Sequence, residues 1–161
     1  MARIGMIIVV IGIIISMGAA MYMYTQYQTN FIIGKSGEAV TVGPVEYIVI
    51  FDGTHQGNKE KTPENTFVKI KIVAKNISNE NTRISGGQFF IIDEKQQNHQ
   101  AVYGKFSADD LLDYMLEPNK PVMFTTQFDI PYDEQSQYSI TIRPTKIQSS
   151  TDTAVICITN C

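Results

Sequence analysis

Cys157 and Cys161 end the chain as Cys-Ile-Thr-Asn-Cys and are its only cysteines. Two thiols at this spacing offer a disulfide within the chain, a bridge to another chain, or a soft-metal or redox site. In an extended strand, residues four apart are about 13 Å apart. A bridge needs roughly 4.4–6.8 Å between Cα atoms, so an intrachain disulfide requires the tail to turn at Thr159 and Asn160. A blue-copper centre needs His and Met ligands downstream of its cysteine, whereas His55 and His99 both precede Cys157.

His55 follows Asp-Gly-Thr, with Glu60 and Glu64 close by, and His99 ends Gln-Gln-Asn-His. A His–His–carboxylate metal site requires these two segments to converge; otherwise both histidines are solvated loop residues. Asp109, Asp110 and Asp113 are candidate oxygen ligands for calcium, or acids at the start of a helix. Asn76-Ile77-Ser78 is an N-glycosylation sequon, but Asn is also a residue that ties down turns with its amide. Nucleophilic catalysis needs a nucleophile beside a positioned base. The sequence has no Gly-x-Ser-x-Gly, Ser-x-x-Lys or His-Glu-x-x-His, and no phosphate-loop or dinucleotide fingerprint. The expectation is a noncatalytic protein with no cofactor.

The elements that position these residues begin with a membrane segment. Ile4 to Tyr24 carries no charge, and Ser16 is its one strongly polar side chain. Twenty-one helical residues span roughly 31 Å, the thickness of a bilayer core. Arg3 precedes the run, and Tyr22, Tyr24 and Tyr27 close it at interfacial depth. This pattern predicts a single-pass anchor over 1–30 with its N-terminus cytoplasmic and the rest of the chain outside. A cleaved signal peptide is the alternative, with Gly18, Ala19 and Ala20 as the small residues at a cleavage site. Gly12, Ser16 and Ala20 share one helix face, where small residues permit close helix packing.

Beyond the anchor the chain reads as strands. Val68, Ile70, Ile72 and Ala74 alternate with Lys69, Lys71 and Lys75, which puts Phe67 on the wet face. Phe124, Thr126, Phe128 and Ile130 alternate in the same way, as do Tyr138, Ile140 and Ile142. Val45–Phe51 and Phe89–Ile92 are apolar on both faces, as central strands are. Shorter strands are expected at Glu38–Val42, Gln100–Tyr103 and Ala154–Ile158. Gly53–Asn65 reads as a mobile loop. One short helix is predicted from an N-cap at Ser107 through Leu111, Leu112, Met115 and Leu116 to the stop at Pro118. The expected architecture is all-β: an immunoglobulin-like β-sandwich over 38–161, with a Cys-containing tail, joined to the anchor by a juxtamembrane linker at 31–37.

The 161-residue chain has room for one such domain plus an appendage. Arg3 is the one charged residue among the first 34, which leaves 12 basic and 16 acidic side chains and a net charge of −4 on the remainder. That balance argues against nucleic acid as a partner and against docking on anionic lipid, because both need a basic face. The expected partners are the membrane, through the N-terminal helix, and another membrane or envelope protein.

Four segments carry a family resemblance: Thr66–Asn76 (TFVKIKIVAKN), Gln88–Lys95 (QFFIIDEK), Leu116–Val122 (LEPNKPV) and Phe128–Pro131 (FDIP). In this order they resemble a family of prokaryotic extracytoplasmic immunoglobulin-like domains of unknown function, found in secreted antigens and anchored surface proteins. The resemblance covers about residues 38–145. It implies a β-sandwich without enzymatic activity and transfers no catalytic residue. The chain departs from the pattern in having a membrane helix in place of a lipobox cysteine, and in its two C-terminal cysteines. The leading functional expectation is a module for protein interaction or for envelope or complex assembly. The alternative is a metal- or redox-linked accessory subunit of a membrane enzyme complex that uses the Cys pair.

Overall fold

A computed structural model describes residues 2–58, 61–104 and 106–161, with side chains from Gly5 onward. Met1, the Arg3 side chain and Glu60 lie outside the described residues. The chain opens with helix α1 (Ala2–Gln26), exposed along its described length and apolar enough over Gly5–Gln26 to cross a membrane. Ser16 returns its hydroxyl to the Ile13 carbonyl at 2.9 Å, which satisfies that polar group within the helix.

Eleven strands follow among the described residues: β1 (Asn30–Lys35), β2 (Ala39–Val42), β3 (Val45–His55), β4 (Thr66–Asn76), β5 (Thr82–Ser85), β6 (Phe89–Ile92), β7 (Asn98–Gln100), β8 (Asp113–Leu116), β9 (Pro121–Ile130), β10 (Tyr138–Ile142) and β11 (Asp152–Thr159). A five-stranded sheet in the order β1-β11-β10-β6-β7 faces a four-stranded sheet in the order β2-β3-β4-β9, and β5 and β8 form a separate ribbon. The period-two pattern explains the layers. Tyr47, Val49, Ile70, Ile72 and Phe128 from one sheet meet Phe89, Ile91, Ile140, Ile142 and Ile156 from the other in one buried cluster.

Several sequence expectations change. Residues 31–37 are not a linker: Asn30–Lys35 forms strand β1, which pairs in parallel with β11 from Asn30↔Asp152 to Lys35↔Cys157. Its partner lies far along the chain, so no local pattern announces it. Within it, Ile32 packs against the core and Gly34 is buried close to Val40. The helix predicted from Ser107 does not form. Asp113–Leu116 is extended as β8 and pairs with β5, an association that buries Ile84 and Leu116. Phe67 sits on the outward side of β4, as alternation requires, yet it is buried: His55 and Phe106 cover it with ring centroids at 5.2 and 5.1 Å. The loop expected from Gly53 starts later, because β3 continues to His55 through a bulge between Phe51 and Thr54.

Candidate functional site

A cleft of about 370 Å³ opens on the outer side of the four-stranded sheet, lined by Asp52, Thr54, His55, Lys69, Phe106, Ser107, Asp110 and Gln127. Its floor comes from β3, β4 and β9, and its wall from the segment leading to Leu111. Asp110 holds that wall. Its carboxylate accepts the Ser107 N–H at 2.7 Å, the Phe106 N–H, the Ser107 hydroxyl at 2.9 Å and the Thr125 hydroxyl at 2.9 Å. Burial raises the Asp110 carboxyl's proton affinity, but the bonds from Ser107, Phe106 and Thr125 outweigh it and hold the group below the usual carboxylate range. Main-chain bonds between Leu111 N–H and Thr125 O, and between Thr125 N–H and Asp109 O, complete the clasp on β9. The helix is absent because its backbone donors are used across the sheet: the Leu111 N–H, which would bond the Ser107 carbonyl in a helix capped at Ser107, bonds Thr125 O instead, and Asp113–Leu116 pairs with β5. Gly86 permits the close approach of this loop, since a Cβ there would lie 2.6 Å from the Leu111 carbonyl oxygen.

His55 is fully committed. Its Nδ1 accepts the Gly57 N–H at 3.0 Å, so the ring proton sits on Nε2 and is donated to Gln127 Oε1 at 2.6 Å. Gln127 is buried, with its side chain against the cleft. Lys69 pairs with Asp52 at 3.1 Å, and Lys71 reaches the same carboxylate at 3.8 Å. The Ser107 hydroxyl lies between Asp110 and Thr125 (3.2 Å). Its acceptor is thus a carboxylate of lowered basicity rather than an imidazole. The arrangement presents fixed hydroxyl, amide and charged groups beside one aromatic wall, which suits recognition more than proton abstraction.

The sequence-derived metal candidates do not assemble. His99 lies on β7, in the other sheet from His55, and pairs with Asp93 at 3.1 Å. Asp113 is salt-bridged to Arg83 while Asp110 is occupied by its four donors, so the three aspartates do not form a calcium cage. Among the described residues, no group of three or more His, Cys, Asp or Glu is placed to hold a metal. Asn76 is fully buried. Its amide donates to Glu80 O at 2.6 Å and Leu116 O at 3.1 Å, while its oxygen accepts the Ser78 N–H at 2.9 Å. The nitrogen that a sugar would need is thus enclosed and used, and Asn76 acts as the turn tie that its residue type permits. Cys157 and Cys161 are joined by a disulfide with Cα atoms 5.8 Å apart. Asn160 adopts a left-handed conformation at φ 51° and ties its amide to the carbonyls of Glu134 and Ser136 at 2.7 and 2.9 Å.

The cleft lies away from the point where the chain leaves the helix. Asn30, at the start of β1, bonds to Thr151 O at 3.1 Å, and Ser150 lies against Gly43 in the turn that begins β3. Thr54 and His55 stand at the other end of β3, roughly 30 Å along the strand.

A family model described as a domain of unknown function, DUF4352, matches residues 34–153. The chain belongs to this family. This DUF4352 domain is similar in structure to the yjhA protein of Bacillus subtilis, with a TM-score of 0.62 and 19% identity over 78% of this chain and 98% of that one. It also resembles MPT63, a secreted protein of Mycobacterium tuberculosis, with a TM-score of 0.57 and 9% identity over 80% and 96% of the two chains. A functionally unknown protein of Listeria monocytogenes gives a TM-score of 0.51 at 13% identity, over 82% and 86%. At these identities the likeness concerns the fold, a β-sandwich used by bacterial secreted proteins. No curated protein matches the sequence. The sequence singles out His55 and Asp110 from the cleft, the latter for a calcium or helix-start role it does not have, but not Asp52, Lys69, Phe106 or Gln127. Only the outward parity of Lys69 and Gln127 hinted at a shared face, and parity does not reveal which loop covers it.

Proposed function

We propose that this DUF4352 protein is a noncatalytic, membrane-anchored module whose sandwich lies outside the cytoplasm and offers the Asp52–His55–Gln127 cleft to a protein partner of the membrane or envelope. One observation carries the reading: the membrane-length helix enters the sandwich at one end of β3, and the built cleft stands at the other. An anchor and a recognition surface separated in this way suit a displayed binding module. Phe106 and the Asp110 clasp supply a preformed wall, which limits the ordering cost of binding.

The test uses the full chain in native membranes, with a photoreactive phenylalanine analogue in place of Phe106 and, as a control, of Ile147, which is exposed near the anchor end. The expected result is a discrete cross-linked protein from position 106, weakened by Asp110→Ala and absent from position 147. Equal adducts from both positions, or none from position 106, overturn the cleft as the contact surface. Protease added to intact cells should remove the sandwich; protection would overturn the outward orientation.

A further inference from the structure

The outward faces of the two sheets differ in charge. On the four-stranded sheet, Glu46, Asp52, Lys69, Lys71 and Lys75 point outward, interleaved with Ile48, Ile50, Val73 and Met123. The five-stranded sheet instead presents Phe31, Ile33, Val155, Thr141, Phe90 and Ile92, which the strand registers place on one side. Among the described residues, the charges on this side are Lys35 at the end of β1, Arg143, whose guanidinium lies 4.5 Å from the centre of the Phe90 ring, and, beyond the end of β6, Asp93 and Glu94, which line a depression with Ile92, Ser139 and Val155. Phe31 and Ile33 are 64% and 85% exposed on the edge strand, and a groove of about 410 Å³ runs from Phe31 past Val155 to Ile92. An aromatic and a branched aliphatic side chain at this exposure on an edge strand call for a partner.

Chain length identifies the partner. Helix α1 ends at Gln26 and β1 begins at Asn30. At full extension Phe31 lies within about 17 Å of Gln26, and Ile33 within about 24 Å. Tyr22, Tyr24 and Tyr27 mark the end of the apolar run at the depth where aromatic rings concentrate. An anchored chain therefore cannot carry β1 far from the headgroup layer.

We propose that the outer face of the five-stranded sheet, led by Phe31 and Ile33, rests on the phospholipid surface that the helix spans. This rests on the anchored reading above. The occupant is the headgroup and upper acyl layer: Phe31, Ile33 and Val155 supply apolar contact, Thr141 offers a hydroxyl, and Lys35 and Arg143 suit lipid phosphates. The sandwich then lies on its side, and the cleft, on the outer face of the opposite sheet, points away from the bilayer.

The sequence contains no tryptophan, so Phe31→Trp and Ile33→Trp each introduce a single reporter. Both sites are exposed, and the variants should melt like the parent. Ile50→Trp, on the outer face of the other sheet, is the control. Full-length chains are reconstituted into phosphatidylcholine vesicles with or without brominated acyl chains, and their co-flotation is measured. The expected result is co-flotation of every variant, blue-shifted emission for Phe31→Trp and Ile33→Trp, and severalfold stronger bromolipid quenching there than for Ile50→Trp. Co-flotation with equal quenching at all three sites overturns the docking while leaving the anchor intact. A blue shift that follows protein density and ignores bromolipid assigns the face to a second copy of the chain, and also overturns it. Failure to co-float defeats the anchored reading, and the docking with it.

Discussion

The Asp110 carboxylate accepts the Thr125 hydroxyl at 2.9 Å and thereby clasps the cleft wall to β9. Removing the carboxylate strands two main-chain donors and two hydroxyls, and hydrogen bonds to a charged acceptor each contribute about 1.5–3 kcal/mol. Asp110→Ala should therefore destabilise the sandwich by a few kcal/mol in chemical denaturation. Protease sensitivity should rise first in the segment that includes Phe106. Unchanged stability would show that the clasp is not held by this side chain.

The same group makes stability depend on pH. The Asp110 carboxyl is held below its usual range, so the unfolded chain binds its proton more readily than the folded one does. The stabilisation is present above the unfolded value of about 3.9 and is lost as pH falls through the lower folded value. The stability gap between the parent and Asp110→Asn should be widest near neutrality and narrow on acidification below about pH 4. Denaturation curves across that range measure it; a gap that widens in acid contradicts the assignment.

Asn76 should tolerate neither truncation nor charge. Its amide nitrogen serves the carbonyls of Glu80 and Leu116 in a fully buried site. Asn76→Ala takes this donor from both carbonyls, of which Glu80 O keeps the Ser78 hydroxyl at 3.0 Å, and strands the Ser78 N–H, at roughly 1–3 kcal/mol. Asn76→Asp should cost more, because it sets a carboxylate against those same carbonyl oxygens. Thermal melts of the two variants, compared at neutral pH, decide the order.

Phe128 is fully buried in the core, and Lys71 makes a half-exposed ion pair with Asp52. Phe128→Ala should cost about 3–5 kcal/mol through lost contacts and the cavity left behind. Lys71→Ala should cost less than about 1 kcal/mol. Comparable losses for the two would mean that the strand register is wrong.

The Cys157–Cys161 bridge closes a very short ring, so the unfolded chain loses little freedom to it. Loop-closure entropy limits its contribution to about 2 kcal/mol. Cys157→Ser with Cys161→Ser should lower the melting temperature modestly and leave a folded sandwich, because Ala154, Ile156 and Ile158 still pack into the core. Collapse of the fold in the double variant would give the bridge a larger part than its ring size permits.

Local chemistry in the sequence determined the membrane-length helix, the all-β class and the inward parity of β4, β9 and β10. An uncharged run and a two-residue alternation are properties of consecutive residues, and the bilayer and the sheet read them directly. Tertiary structure decided the rest. Strand β1 looks like a linker until β11 pairs with it from the other end of the chain. Ser107–Leu116 has the composition of a short helix, but the Leu111 N–H bonds Thr125 O on β9 and β5 pairs with Asp113–Leu116. Phe67 has outward parity, and its burial depends on Phe106 arriving from a distant loop. The cleft likewise gathers Asp52, Lys69, Asp110 and Gln127 from separate segments. Their adjacency follows from how the strands pair and which loop folds over them, and the contacts that select this arrangement are nonlocal, so no window of the sequence contains them.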